Sequence, residues 1–383
     1  MPNYFSIIID KSVLQGLNKR ESKWLFHHFR VNIPPVFFAE LIGDLKKSDQ
    51  RASTGNAVGD VRMLSGKIES SHVDLNATSA SLLELELLGR KFPLDGRPVI
   101  ESAQPVPMPD GSYGVLIDQT PMQRVLDRWR SGNFDEMERD FAEIWRKRIA
   151  TIDLEAIVKA TKGQAFRDAA SLSDVAGIVD SYCFRPGCDY ANLLKWMKIN
   201  SVPEPLTATA IRRWRQLGRP PATNFAPYTA HLAKVELFFY VAVSCGLIST
   251  RSSNEIDCEY FRYIPFARVF SSSDKLHRKL FDAFSSDKQM FVYGPDLKEG
   301  LTELAEHYKD LSPSDLAKGS FNYADYPPVE MNNAITQAYD RVMPDWRERA
   351  KEPKPPRDPA DDARTLERLK PIIEALKKHS DQG

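Results

Sequence analysis

Two apolar runs, far apart in the chain, each end in an aspartate. The first is Phe5-Ser6-Ile7-Ile8-Ile9-Asp10. The second is Ala267-Arg268-Val269-Phe270-Ser271-Ser272-Ser273-Asp274. Short near-continuous apolar runs read as strands buried on both faces, the habit of parallel sheets covered by helices. A carboxylate at the C-terminal end of such a strand stands where open α/β sheets hold their ligands. The fold expected is therefore α/β, with a parallel sheet flanked by helices. Glu40 and Asp257 lie where they could join Asp10 and Asp274 in one cluster.

The pattern along the chain divides it in four. Residues 1–47 and 230–311 read as the two parts of one α/β core. Strands are expected at 4–10, 31–34, 269–272 and 290–293, and helices at 275–284 and 297–308. One helix is expected after Asp10, with Ser12 as its cap and Val13, Leu14, Leu17, Trp24, Leu25 and Phe29 on its apolar face. A second opens at Pro35 and runs to about Lys47, carrying Glu40 and Asp44 on one side. Residues 48–229 read as a largely helical insertion. It opens with a small-residue loop from Ser48 to about Gly66 and contains a hairpin turn at Pro109-Asp110-Gly111. An apolar helix spans 230–248, and Asp257 is expected to open a short helix ending near Tyr263. Beyond Leu311 the chain reads as a proline-rich, irregular extension over 312–383. It has a linker at Lys351–Pro356 and a terminal amphipathic helix over 363–378.

Charge narrows the function. The 383 residues hold 52 Lys+Arg against 52 Asp+Glu, so no global positive charge draws in nucleic acid and any such contact needs a local patch. Three Arg/Trp-rich stretches offer one: Arg124 to Arg130, Trp145 to Arg148, and Arg212 to Arg219. The last is the densest, and Arg212, Arg213 and Arg215 are its candidate RNA contacts. Amphipathic helices with Trp inward and Arg in water explain the same stretches. Four cysteines make no disulfide framework, which suits a reducing cytoplasm. Cys183 and Cys188 are half a zinc site without a partner pair, and read as buried or loop cysteines. His27 and His28, adjacent on a helix, cannot share a metal. The N-terminus has no basic region of the signal-peptide kind, and the longest apolar stretch is too short and polar to span a bilayer.

The acids carry the chemistry. Two carboxylates about 4 Å apart repel by roughly 4 kcal/mol at an effective dielectric near 20, so a cluster of four is not kept for stability. A hard divalent cation, Mg²⁺ or Mn²⁺, reverses the sign. It would also stabilise charge on a phosphoryl oxygen, as phosphodiester hydrolysis requires. Asp44 is a candidate fifth acid. Lys275 and His277 follow the last acid closely and are candidate phosphate contacts, although surface positions explain them better.

At residues 5–12, 35–47 and 257–277 the chain resembles the PIN-domain nucleases. That family's pattern is an apolar strand ending in Asp with a hydroxyl residue close behind, here Asp10 and Ser12. A Glu on a later helix follows, here Glu40. An Asp then opens a helix leading to a strand that ends in Ser/Thr-x-Asp, here Asp257 and Ser272-Ser273-Asp274. The resemblance implies a flavodoxin-like parallel sheet of about five strands. It implies Mg²⁺ or Mn²⁺ at Asp10, Glu40, Asp257 and Asp274, with Ser12 assisting. It further implies endoribonuclease cleavage of single-stranded or structured RNA that leaves a 5′-phosphate. Many members are toxins, so a toxin or defence effector, with a protein antitoxin or regulator, is one expectation. The rival readings are a catalytically inert PIN-like module that binds RNA or protein, and a phosphomonoesterase on the same sheet. Against the latter, Asp10-Lys11-Ser12 lacks the second Asp that such phosphatases use.

Overall fold

Among the described residues seven strands form: β1 (Ser6–Ile9), β2 (Arg30–Ile33), β3 (Val73–Leu75), β4 (Ala103–Pro107), β5 (Tyr113–Ile117), β6 (Val269–Ser272) and β7 (Met290–Tyr293). Five make an all-parallel sheet in the order β3-β2-β1-β6-β7. Ile7, Ile8 and Ile9 are wholly buried in its centre, each contributing about 2 kcal/mol. From β1 the chain steps one way to β2 and β3, and later resumes on the other side with β6 and β7. The order reverses between β1 and β6, the crevice where such sheets bind ligands. β4 and β5 pair antiparallel as a separate ribbon.

This is a computed structural model. It describes residues 5–46, 56–69, 73–100, 103–107, 113–117, 121–312 and 323–352, with Arg364, Glu367 and Lys370 beyond. The tip at Pro109-Asp110-Gly111 lies outside the described residues, as do most of the proline-rich linker and the terminal helix.

The first helices are α1 (Lys11–Gly16), α2 (Lys19–His28), α3 (Pro35–Gly43), α4 (Ala57–Ser65) and α5 (Ser79–Leu88). The single helix expected after Asp10 is broken in two. Leu17 leaves the helical region and Asn18 starts α2 with a capping box to Glu21. The loop expected over Ser48 to Gly66 contains α4. The outer strand β3 also comes from residues read as insertion, so the sheet takes more of the chain than its two apolar runs announced.

Next come α6 (Pro121–Arg130), α7 (Glu136–Thr151), α8 (Leu154–Ala160), α9 (Leu172–Cys183), α10 (Asp189–Ile199), α11 (Glu204–Gln216), α12 (Ala222–Phe225), α13 (Pro227–Ser244) and α14 (Ser253–Glu259). The apolar α13 is their spine, packing on α5, α8, α9 and α10. Its N-terminus lacks a cap of its own. Glu86 of α5 supplies one, accepting from the Tyr228 and Thr229 N–H groups and the Thr229 hydroxyl at 2.7–2.8 Å. Burial nonetheless raises the Glu86 pKa.

The chain closes with α15 (Lys275–Phe284), α16 (Gly294–His307), α17 (Ala334–Val342) and α18 (Trp346–Arg349). The extension read as irregular contains these last two, anchored by buried Ile335, Tyr339 and Trp346. Among the described residues, no helix is long and apolar enough to cross a membrane.

Candidate active site

Asp10 leaves the sheet where β1 ends, its N–H still bonded to the Ser271 carbonyl of β6 at 3.2 Å. Asp274 follows β6, the neighbouring strand. Glu40 projects from α3 and Asp257 from α14. The four carboxylates line one pocket of about 240 Å³, together with Lys11, Ser12, Gln15, Tyr260, Ser273 and His277. Asp10 is buried, Glu40 and Asp257 are half-buried and Asp274 is exposed, so the pocket opens at the Asp274 side. Gly294 allows this wall to close, because a Cβ there would run into the Ser273 hydroxyl.

Asp10 is the N-cap of α1, the role expected of Ser12. Its Oδ1 accepts the Val13 N–H at 2.9 Å and the Ser12 hydroxyl at 2.7 Å. Its Oδ2 accepts the Ser272 hydroxyl at 2.6 Å and lies 3.5 Å from His277 Nδ1. Ser272 thereby spends its one proton on Asp10. It must accept from the Asp274 N–H at 2.9 Å and from His277 Nδ1 at 2.8 Å. His277 Nε2 faces the Asp257 main-chain carbonyl at 3.0 Å, which can only accept. With Ser272 donating to Asp10, both ring nitrogens of His277 face acceptors, an arrangement that favours the protonated imidazole. Glu40 accepts from the Tyr260 hydroxyl. Lys11 reaches the Glu40 carbonyl at 3.3 Å and both oxygens of Asp44 at 3.1 Å.

The electrostatics follow. Burial opposes the His277 cation, but Asp10, Asp257 and Asp274 outweigh it and raise its pKa. Burial likewise opposes the Asp10 carboxylate; the His277 bond and charge, with Ser272 and the Val13 N–H, bring its pKa below the usual value. Glu40 is raised by burial against the pull of Lys11. Asp257 is pushed up to about 7 by burial, opposed by His277 and reinforced by Asp274, Glu40 and Asp10.

Several expectations need correction. Asp257 sits in the middle of α14 rather than opening it. His277 is buried, so it is not a surface contact for phosphate; Lys275 is exposed beside Asp274. Arg213 is occupied by the Glu86 and Leu87 carbonyls and stacks on Phe225, and Arg215 lies over Tyr190. Arg212 is exposed, and none of the three lines the pocket. Asp44 is taken by Lys11 and Arg146. The tryptophans of all three basic stretches, Trp129, Trp145 and Trp214, are buried. Tyr260 and the hub role of Ser272 were not foreseen. The Ser-x-Asp ending was the one signal for Ser272, and nothing local marked Tyr260.

Comparison with protein-family models, curated proteins and solved structures found no match for the chain. Among the described residues, no group of three or more His, Cys, Asp or Glu stands ready to hold a metal ion. Both oxygens of Asp10 and one oxygen of Glu40 already accept hydrogen bonds. The donor chemistry, all carboxylate oxygen with hydroxyls nearby, is nonetheless the kind Mg²⁺ and Mn²⁺ take.

Proposed function

We propose that the chain is a PIN-like, metal-dependent nuclease that hydrolyses RNA phosphodiester bonds. The observation supporting this is the meeting of four carboxylates, from four separate segments, in one pocket at the switch point of a parallel sheet. Asp10, Glu40, Asp257 and Asp274 would hold Mg²⁺ or Mn²⁺, which supplies Lewis-acid stabilisation of charge developing on the phosphoryl group. Ser12, at the exposed rim, orients Asp10 through its hydrogen bond. Tyr260 fixes Glu40. Lys275, exposed beside Asp274, meets the RNA backbone. A toxin or defence role in the cytoplasm, under a protein regulator, belongs to the same proposal.

The fully engaged oxygens of Asp10 favour one alternative, an inert PIN-like module that binds RNA or protein without cutting. The full chain should be incubated with labelled single-stranded and hairpin RNA in Mn²⁺, Mg²⁺ or EDTA. Metal-dependent cleavage that is lost in Asp10→Ala and Asp274→Ala, with folding retained, supports the nuclease. Binding without cleavage, and no rise in Tm with Mn²⁺, would favour the inert module. Full activity in either variant removes the site assignment.

A further inference from the structure

His277 ties the end of β1 to α14, two of the segments that carry the acids. Its Nδ1 arm reaches Ser272, and through that hydroxyl Asp10 at the end of β1. Its Nε2 arm reaches the main chain of Asp257 in the middle of α14. The ring is buried among Tyr260, Phe261 and Phe270, with centroids 5.3–5.6 Å away. Those aromatic walls fix the ring plane, so neither arm can swing aside. Solvent does not replace either contact, because His277 is only 1% exposed.

We infer that His277 is a positioning residue: it holds the Asp10 carboxylate and the α14 segment of Asp257 at a fixed separation across the pocket, and touches no substrate itself. The inference rests on the nuclease reading for its catalytic meaning, but its geometric content stands apart. The two arms can be cut separately. An Asn side chain places its amide where Nδ1 lies and keeps the Ser272 arm alone. A Gln side chain reaches the Nε2 position and keeps the Asp257 arm alone. Phe keeps the ring volume and loses both.

The test uses the full chain with His277→Asn, His277→Gln and His277→Phe, and two readouts. The first needs no metal. The Val13 and Asp274 amides donate to Asp10 and to Ser272, so their hydrogen exchange reports how firmly those side chains are held. Exchange at both should rise about tenfold or more in the Gln and Phe variants and stay near wild type in Asn. The second is Mn²⁺ affinity by calorimetry, expected to fall 10- to 100-fold in Phe, as when outer partners of metal ligands are lost. A merely structural role would lower Tm in all three and leave exchange at these two amides in step with the rest of α1 and α15; that pattern overturns the inference. So does unchanged Mn²⁺ affinity in Phe where wild type binds. If wild type binds no Mn²⁺ but the two amides loosen as described, His277 keeps its role and the nuclease reading fails alone.

Discussion

Asp257 gives the sharpest test of the acid cluster, because it should destabilise the protein that carries it. Burial and three neighbouring acids push its pKa from 3.8 to about 7. The folded state therefore holds a proton that the unfolded chain has released, and stability from this group falls as pH rises from about 4 to 7. At about 1.4 kcal/mol for each tenfold change in proton affinity, ionised Asp257 costs the fold about 4 kcal/mol at pH 9 and below about 2 kcal/mol at pH 5. The side chain is half-buried, so residual solvent screening makes these figures ceilings. Asp257→Asn keeps the shape and removes the charge. In EDTA, urea denaturation should find the variant more stable than wild type, with a gap that widens from pH 5 to pH 9. Equal midpoints at pH 9, or a gap that does not change with pH, would refute the claim that like charges crowd this pocket. Added Mn²⁺ should narrow the gap from the other side, stabilising wild type and not the variant.

Two further outcomes follow from buried groups. Glu86→Ala leaves two N–H groups and a hydroxyl without their acceptor at the start of α13, and should cost about 3 kcal/mol in urea unfolding; a loss under about 1 kcal/mol would show that α13 needs no cap from α5. His231 bonds the Phe261 carbonyl and its pKa is lowered to about 4, chiefly by burial. It stays neutral in the fold while the unfolded chain takes a proton below pH 6.5, so stability should drop by up to about 3 kcal/mol between pH 6.5 and 4. His231→Gln should flatten that acid slope, and an unchanged slope would place the loss elsewhere.

The strand that ends at Asp10 was legible because Ile7-Ile8-Ile9 is apolar without alternation, a pattern of burial from both faces; β6 was legible from Val269-Phe270 and the sharp polar stop at Asp274. Residues 275–284 and 290–293 were legible to the residue, since each begins or ends at a change from apolar run to polar cap. β3 was not, because Val73-Asp74-Leu75 is three residues long and its Asp74 is paired with Arg30 of β2, a contact no local pattern announces. The break between α1 and α2 was missed because the apolar spacing continues across it; the Asn18 cap decides the matter. Within the site, the acids could be named because strand ends and helix faces are local properties. The His277–Ser272–Asp10 network could not, since it depends on how α15 turns His277 inward beneath aromatic rings supplied by other segments.

The long stretch between Glu40 and Asp257 raises the question of what keeps two distant acids on one pocket. The second of the three basic stretches supplies a physical answer. Arg146 and Arg148 are two apart on α7, so they leave it in different directions. Arg146 bonds the Gly43 carbonyl at 2.8 Å and Asp44 at 3.0 Å, at the end of the helix that carries Glu40. Arg148 pairs with Glu259 and lies 3.9 Å from Glu255, on the helix that carries Asp257. Trp145 lies against Gly43, where a Cβ would come within 2.6 Å of the indole, so only glycine lets α7 pack this closely on α3. One helix of the intervening region thus grips both acid-bearing helices. An insertion that hung free of the core would leave α3 and α14 to settle independently. One that braces them makes the pocket's shape depend on residues that never reach it.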